Sequence, residues 1–90
     1  MQRADADRLQ RNRVAIVADL DVHTVLDWLI QNRIITSEDS QLIISIPTSQ
    51  GRARSLLDIL PTRGPSAFGV FVQALRKAGY DWLVDILMNQ

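Results

Sequence analysis

Cysteine is absent from all 90 residues. That removes disulfides, thiolate metal sites and cysteine nucleophiles together, and it fits a reducing compartment. Histidine occurs once, as His23 at the start of a predicted helix, where a surface or capping role is the ordinary one. No H-E-x-x-H or zinc-ligand spacing can be built from it. The four glycines (Gly51, Gly64, Gly69 and Gly79) are scattered, so no phosphate-binding loop is present. Carboxylates pair as Asp5/Asp7 and Glu38/Asp39. Both pairs lie near predicted helix starts, where solvated acids are at home. No catalysis, cofactor or metal site is expected of this chain. No apolar run approaches the roughly 18 residues that span a bilayer, and no signal-peptide pattern opens the sequence. Repeats, low-complexity stretches and Gly/Ser linkers are missing too, so residues 1–90 read as a single domain.

Net charge is also missing: ten Lys+Arg balance ten Asp+Glu. A neutral chain is a poor coat for nucleic acid or an anionic membrane. The signs nevertheless come in blocks. Arg3, Arg8, Arg11 and Arg13 dominate the start. Asp19, Asp21, Asp27, Glu38 and Asp39 follow with only Arg33 among them. Arg52, Arg54, Arg63, Arg76 and Lys77 then surround the lone Asp58. Nine of the ten cations are Arg, whose planar fork pairs two hydrogen bonds with a carboxylate where Lys cannot.

What is plentiful is apolar residues, 47% of the chain, and they recur at spacings of three and four. The periodicity predicts six helices. The first runs from about Asp5 to Leu20, with Leu9, Arg13, Ile16, Val17 and Leu20 on one stripe. The second runs from Val22 to Asn32, capped by Asp21, with Val22, Val25, Leu26, Leu29 and Ile30 inward. Ser37 caps the third, Leu42, Ile43 and Ile46 form its apolar face, and Pro47 ends it. The run Leu42–Ile46 also reads as a strand, although no partner strand is evident. Thr48 or Ser49 caps the fourth helix, which extends to Leu60 and buries Ala53, Leu56, Leu57 and Leu60. Gly64-Pro65 starts the fifth, with Pro at its first position. That helix buries Phe68, Phe71, Val72 and Leu75 and ends at Gly79. The sixth spans Asp81 to Met88 and buries Leu83, Ile86 and Leu87. Trp28 falls off its helix's apolar stripe and is a candidate contact residue.

The segment Leu56-Leu-Asp-Ile-Leu-Pro-Thr-Arg-Gly-Pro-Ser-Ala-Phe68 resembles the junction of helices 4 and 5 in caspase recruitment domains (CARDs), above all those of initiator caspases and their adaptors. Leu9–Val14, Val25–Ile30, Ile34–Asp39 and Gly79–Leu87 are similar to that family's first, second, third and sixth helices. The resemblance runs from about Leu9 to Leu87.

It implies an all-α, six-helix antiparallel bundle of the death-fold type, its first helix often kinked. It also implies homotypic binding between a basic face on helices 1 and 4 and an acidic face on helices 2 and 3. Arg13 and Arg54 match basic positions, with Arg11 and Arg52 beside them. Asp27, Glu38 and Asp39 match acidic positions. Gly69 stands where many caspase relatives carry Asp, so no helix 5 contact is carried over. The partner so implied is another CARD-containing protein: an initiator caspase, an adaptor or a nucleotide-binding platform in apoptotic or inflammatory signalling. A homo-oligomer or helical assembly is consistent with this, as is a cytoplasmic location without nucleic acid or membrane. A decoy role applies if the gene product ends at Gln90. The competing class is a small helical nucleic-acid-binding domain.

Overall fold

A computed structural model describes residues 1–89. Its elements are α1 (Arg3–Arg11), α2 (Arg13–Asp19), a 3-10 turn (Val22–Thr24), α3 (Leu26–Gln31), α4 (Ser37–Ile44), α5 (Ser49–Ile59), a second 3-10 turn (Leu60–Thr62), α6 (Ala67–Lys77) and α7 (Asp81–Met88). No strand occurs among the described residues, so Leu42–Ile46 is not a strand.

Among the described residues the count is seven α-helices rather than six, because Asn12 interrupts the first expected helix. Its backbone sits at φ −105°, ψ 11°, off the helical values, and its Nδ2 donates to Arg8 O at 2.8 Å. The side chain thereby competes with the helical ladder, as short amides do. The second expected helix is also divided. Asp21 caps a 3-10 turn, accepting from His23 N at 3.1 Å, and α-helix begins only at Leu26.

Four further expectations are corrected at helix ends and faces. Thr36, not Ser37, caps α4: Thr36 Oγ1 accepts from Asp39 N at 3.0 Å and Asp39 Oδ2 accepts from Thr36 N at 2.9 Å. This reciprocal box satisfies two otherwise orphaned donors. Pro65 lies in the turn before α6, which begins at Ala67. Of the three expected apolar residues of this segment only Ile43 is buried; Leu42 on α4 is exposed, and Ile46, beyond the helix end, is half-buried. On α7 Val84 is buried and Ile86 only partly so.

Elsewhere, apart from the half-buried Ile30, the apolar stripes go inward as the periodicity predicts. Phe71 is the largest fully buried side chain, joined by Ile16, Leu29, Leu56, Leu75 and Leu83 among others. Helix α2 packs on α5, α3 on α6, α4 on α5, and α6 on α7. Each helix is too short to persist alone in water, so this shared core holds them. Thr48 caps α5 by accepting from Gly51 N at 3.0 Å. A Cβ on Gly51 would lie 2.7 Å from both Ile46 Cγ2 and Thr48 Oγ1; only glycine lets the chain turn so closely there. Gly79 closes α6 at φ 87°, with Gly79 N on Arg76 O at 3.1 Å and Tyr80 N on Leu75 O at 2.9 Å. That pairing is the Schellman motif. No helix among the described residues is long and apolar enough to cross a membrane.

Candidate interaction faces

The four expected basic residues divide into two engaged and two free. Arg13, at the start of α2, is half-buried and its Nη1 donates to Asp58 Oδ1 at 2.9 Å. The packing of α2 on α5 brings these partners together across 45 positions of sequence. Arg52 is half-buried on α5, and its Nη1 donates to Ile46 O at 2.8 Å. Arg11 and Arg54 are exposed; neither makes a side-chain hydrogen bond or ion pair among the described residues. Arg54 precedes Asp58 by four positions, so both project from one face of α5. Along that edge the charges run Arg13, Asp58, Arg54, and the acid between two cations lowers the net charge of the patch.

The acidic block divides likewise. Asp19 Oδ2 accepts from Trp82 Nε1 at 2.8 Å. The Asp21 backbone N donates to Tyr80 OH at 3.0 Å. The Asp21 carboxyl meets both the Nδ1 of His23, at 3.0 Å, and its backbone N–H. The side-chain bond to His23 is the main reason its pKa falls below the ordinary value, with the backbone bond second. These contacts tie α7 to the end of α2.

Asp39 is engaged most fully. Besides its cap to Thr36, it takes a two-pronged bond from Arg63, Nη1 to Oδ2 at 2.8 Å and Nη2 to Oδ1 at 3.0 Å. Its pKa is lowered, first by the hydrogen bond from the Thr36 backbone and then by Arg63, against an opposing push from burial. Asp27 on α3 and Glu38 in the first turn of α4 are exposed and accept no hydrogen bond among the described residues. Since α3 packs on α4, these two free acids lie on adjacent helices.

The fold therefore separates the seven sequence-predicted residues by availability. Arg11, Arg54, Asp27 and Glu38 make no side-chain hydrogen bond or ion pair among the described residues, whereas Arg13, Arg52 and Asp39 are already engaged within the chain. Asp58 and Arg63 escape the sequence reading, because nothing local to either marks the distant residue it will meet. Trp28 is half-buried, with Lys77 Nζ 4.3 Å from its ring centroid. A cation from α6 thus lies over the ring. No group of three or more His, Cys, Asp or Glu among the described residues could hold a metal ion.

A family model described as the caspase recruitment domain matches residues 6–90. Caspase-2 of Gallus gallus is 31% identical over 89 residues, which is 99% of this chain and 21% of that protein. Cell death protein 3 of Caenorhabditis remanei is 28% identical over 79 residues, 88% of this chain and 16% of that protein. The chain thus spans about a fifth of the length of the first and about a sixth of the second.

Proposed function

The chain belongs to the caspase recruitment domain family, and on that premise we propose that it recruits and clusters an initiator caspase, its adaptor or its platform. It does so in the cytoplasm, by homotypic docking of a basic face onto an acidic face. The seven helices form the family's six-helix death-fold bundle, with α1 and α2 standing for one divided helix. The observation that carries the proposal is the distribution of free charge. Arg11 and Arg54 are uncommitted on the α1/α5 side, and Asp27 and Glu38 on the α3/α4 side.

Exposed ion pairs are worth only about 0–1 kcal/mol each. At the centre of a dried interface a charge pair couples by more, on the order of 1.5–7 kcal/mol. A single small contact is therefore weak and selective, and strength comes from repetition. Opposite faces on one molecule make a head-to-tail contact, which closes into a ring or grows as a helix. A proenzyme tethered to such an assembly is held at high effective concentration. Proximity then promotes its activation.

The test is calorimetric titration of the domain against isolated caspase recruitment domains of initiator caspases, adaptors and platforms, with duplex DNA as control. At least one recruitment domain binds. Arg54→Glu and Asp27→Arg each weaken a contact that uses the altered face by tenfold or more (about 1.4 kcal/mol), while circular dichroism remains helical. Binding to DNA alone supports the nucleic-acid reading instead. Partner binding unmoved by either reversal refutes the proposed faces.

A further inference from the structure

The window Gln41–Ile46 has the spacing of a strand, with Leu42, Ile44 and Ile46 two apart, yet it lies in α4 and the turn just after it. No charged residue occurs from Ser40 to Gly51. Six-residue segments of high β-propensity, without charge, Pro or Gly, are those that stack as cross-β. Phe68–Gln73 on α6 is a second uncharged window, and packing separates the two. Phe68, Phe71 and Val72 are buried there, whereas α4 gives the core Ile43 as its one buried apolar side chain. Leu42 and Ile44 are 68% and 46% exposed. A helix that adds so little apolar burial opens locally at low cost.

Beyond the local Thr36 box, what holds α4 comes from outside it. At its start Asp39 receives the two-pronged bond from Arg63, Nη1 to Oδ2 at 2.8 Å and Nη2 to Oδ1 at 3.0 Å. At its far end Arg52, on α5, donates from Nη1 to Ile46 O at 2.8 Å. That carbonyl belongs to the window itself, so the bond engages an acceptor that a strand ladder would use. The two arginines therefore bracket the uncharged window.

We propose that Gln41–Ile46 is a cryptic strand, kept out of strand form by the Arg63 and Arg52 clamps, which on release pairs with the same segment of a second copy in a cross-β stack. The occupant follows from the composition of the window. In-register stacking sets identical side chains over one another, and like charges oppose it; this window carries none. Leu42, Ile44 and Ile46 then form the dry face between paired sheets. The association is separate from docking between folded domains. Arg11, Arg54, Asp27 and Glu38 take no part in it, and the chain gives up helix rather than keeping it.

The experiment incubates the wild-type chain, Arg63→Gln, and Arg63→Gln carrying either Leu42→Lys or Val14→Lys, all stirred at one concentration and temperature. Thioflavin T fluorescence, circular dichroism and fibre diffraction are read. Leu42 and Val14 are both exposed, so either lysine leaves the core intact, and only the first puts a charge in the window. Arg63→Gln forms thioflavin-positive fibrils with strand dichroism and a reflection at about 4.7 Å, while wild type stays helical. Adding Leu42→Lys abolishes the fibrils, and adding Val14→Lys does not. Both double variants share the Arg63 change, so a general loss of stability affects them alike and their difference still reports on the window. The inference is overturned if Arg63→Gln stays as helical and soluble as wild type, if its aggregates lack that reflection, if fibrils survive Leu42→Lys, or if Val14→Lys removes them equally. Filaments that keep helical dichroism belong to docking of folded domains and count against it.

Discussion

An arginine with a carboxylate 2.9 Å away presents a different surface from an open one. Arg13 keeps most of its guanidinium donors, but Asp58 takes one and cancels part of the field a partner would feel. Asp58 is 67% exposed, so the pair contributes little to folding, about 0–1 kcal/mol. Replacing Asp58 by Asn keeps an acceptor for Arg13 and removes the charge. The expected outcome is a Tm near that of wild type and an association rate with an acidic-faced recruitment domain raised a few-fold (about 2–5) at low salt, shrinking as salt is added. Stopped-flow mixing at two ionic strengths measures this. A slower association would mean that the Asp58 charge is needed to aim Arg13. Sequence alone marked Arg13 as a candidate, because a family resemblance matches it to a basic position. It could not carry its pairing, since the partner is 45 positions away.

Helix ends show how far local chemistry reaches. Gly79 reads as a terminator because glycine enters the left-handed region at no steric cost, and α6 ends there as expected. Helix α3 ends in the same hydrogen-bond pattern, Arg33 N on Ile30 O and Ile34 N on Leu29 O, both at 2.9 Å. The left-handed position is filled by Arg33, at φ 63°. No residue-type rule marks Arg there. The burial of Ile34 and Ile35 just beyond it, at 4% and 3% exposure, turns the chain sharply and imposes the conformation. An L side chain in that region costs roughly 1–2 kcal/mol, part of which glycine returns through its floppier unfolded chain. Arg33→Gly is therefore expected to raise Tm by about 2–5 °C in thermal melts. A lower Tm would mean that the arginine side chain supplies a compensating contact. The Thr36–Asp39 box, by contrast, was present in the sequence as T-S-E-D, and reading Ser37 as the cap missed it by one residue.

At the scale of the whole molecule, one contact joins capping to tertiary structure. Asp39 caps α4 and also clasps Arg63, 24 positions on, just past the second 3-10 turn. Its folded pKa lies below the ordinary aspartate value of 3.8, chiefly through the Thr36 backbone and next through Arg63. A depressed carboxylate stabilises the fold fully above its unfolded pKa of about 3.9, and that contribution disappears as pH falls through the folded value. Thermal melts of wild type and Asp39→Asn from pH 7 down to about 2 test this. Asp39→Asn should melt lower by a constant interval above the unfolded pKa, with the gap closing in acid. A gap of unchanged size at the acid end would mean that the carboxylate charge is not the source.

The sequence by itself determined that this is an all-helical chain, where most of its core lies, and which family it joins. Apolar spacing, caps and the Leu56–Phe68 segment are local or linear properties, and short-range sterics and hydrogen bonding are enough to express them. Only the tertiary structure decided which charges are available. The packing of α2 on α5 gives Arg13 to Asp58, the turn after α5 gives Arg63 to Asp39, and the docking of α7 gives Trp82 to Asp19. Of the seven expected face residues, Arg11 and Arg54 against Asp27 and Glu38 are left over. A charge balance is additive along a chain, whereas the freedom of a charge depends on neighbours that only folding brings within hydrogen-bond reach.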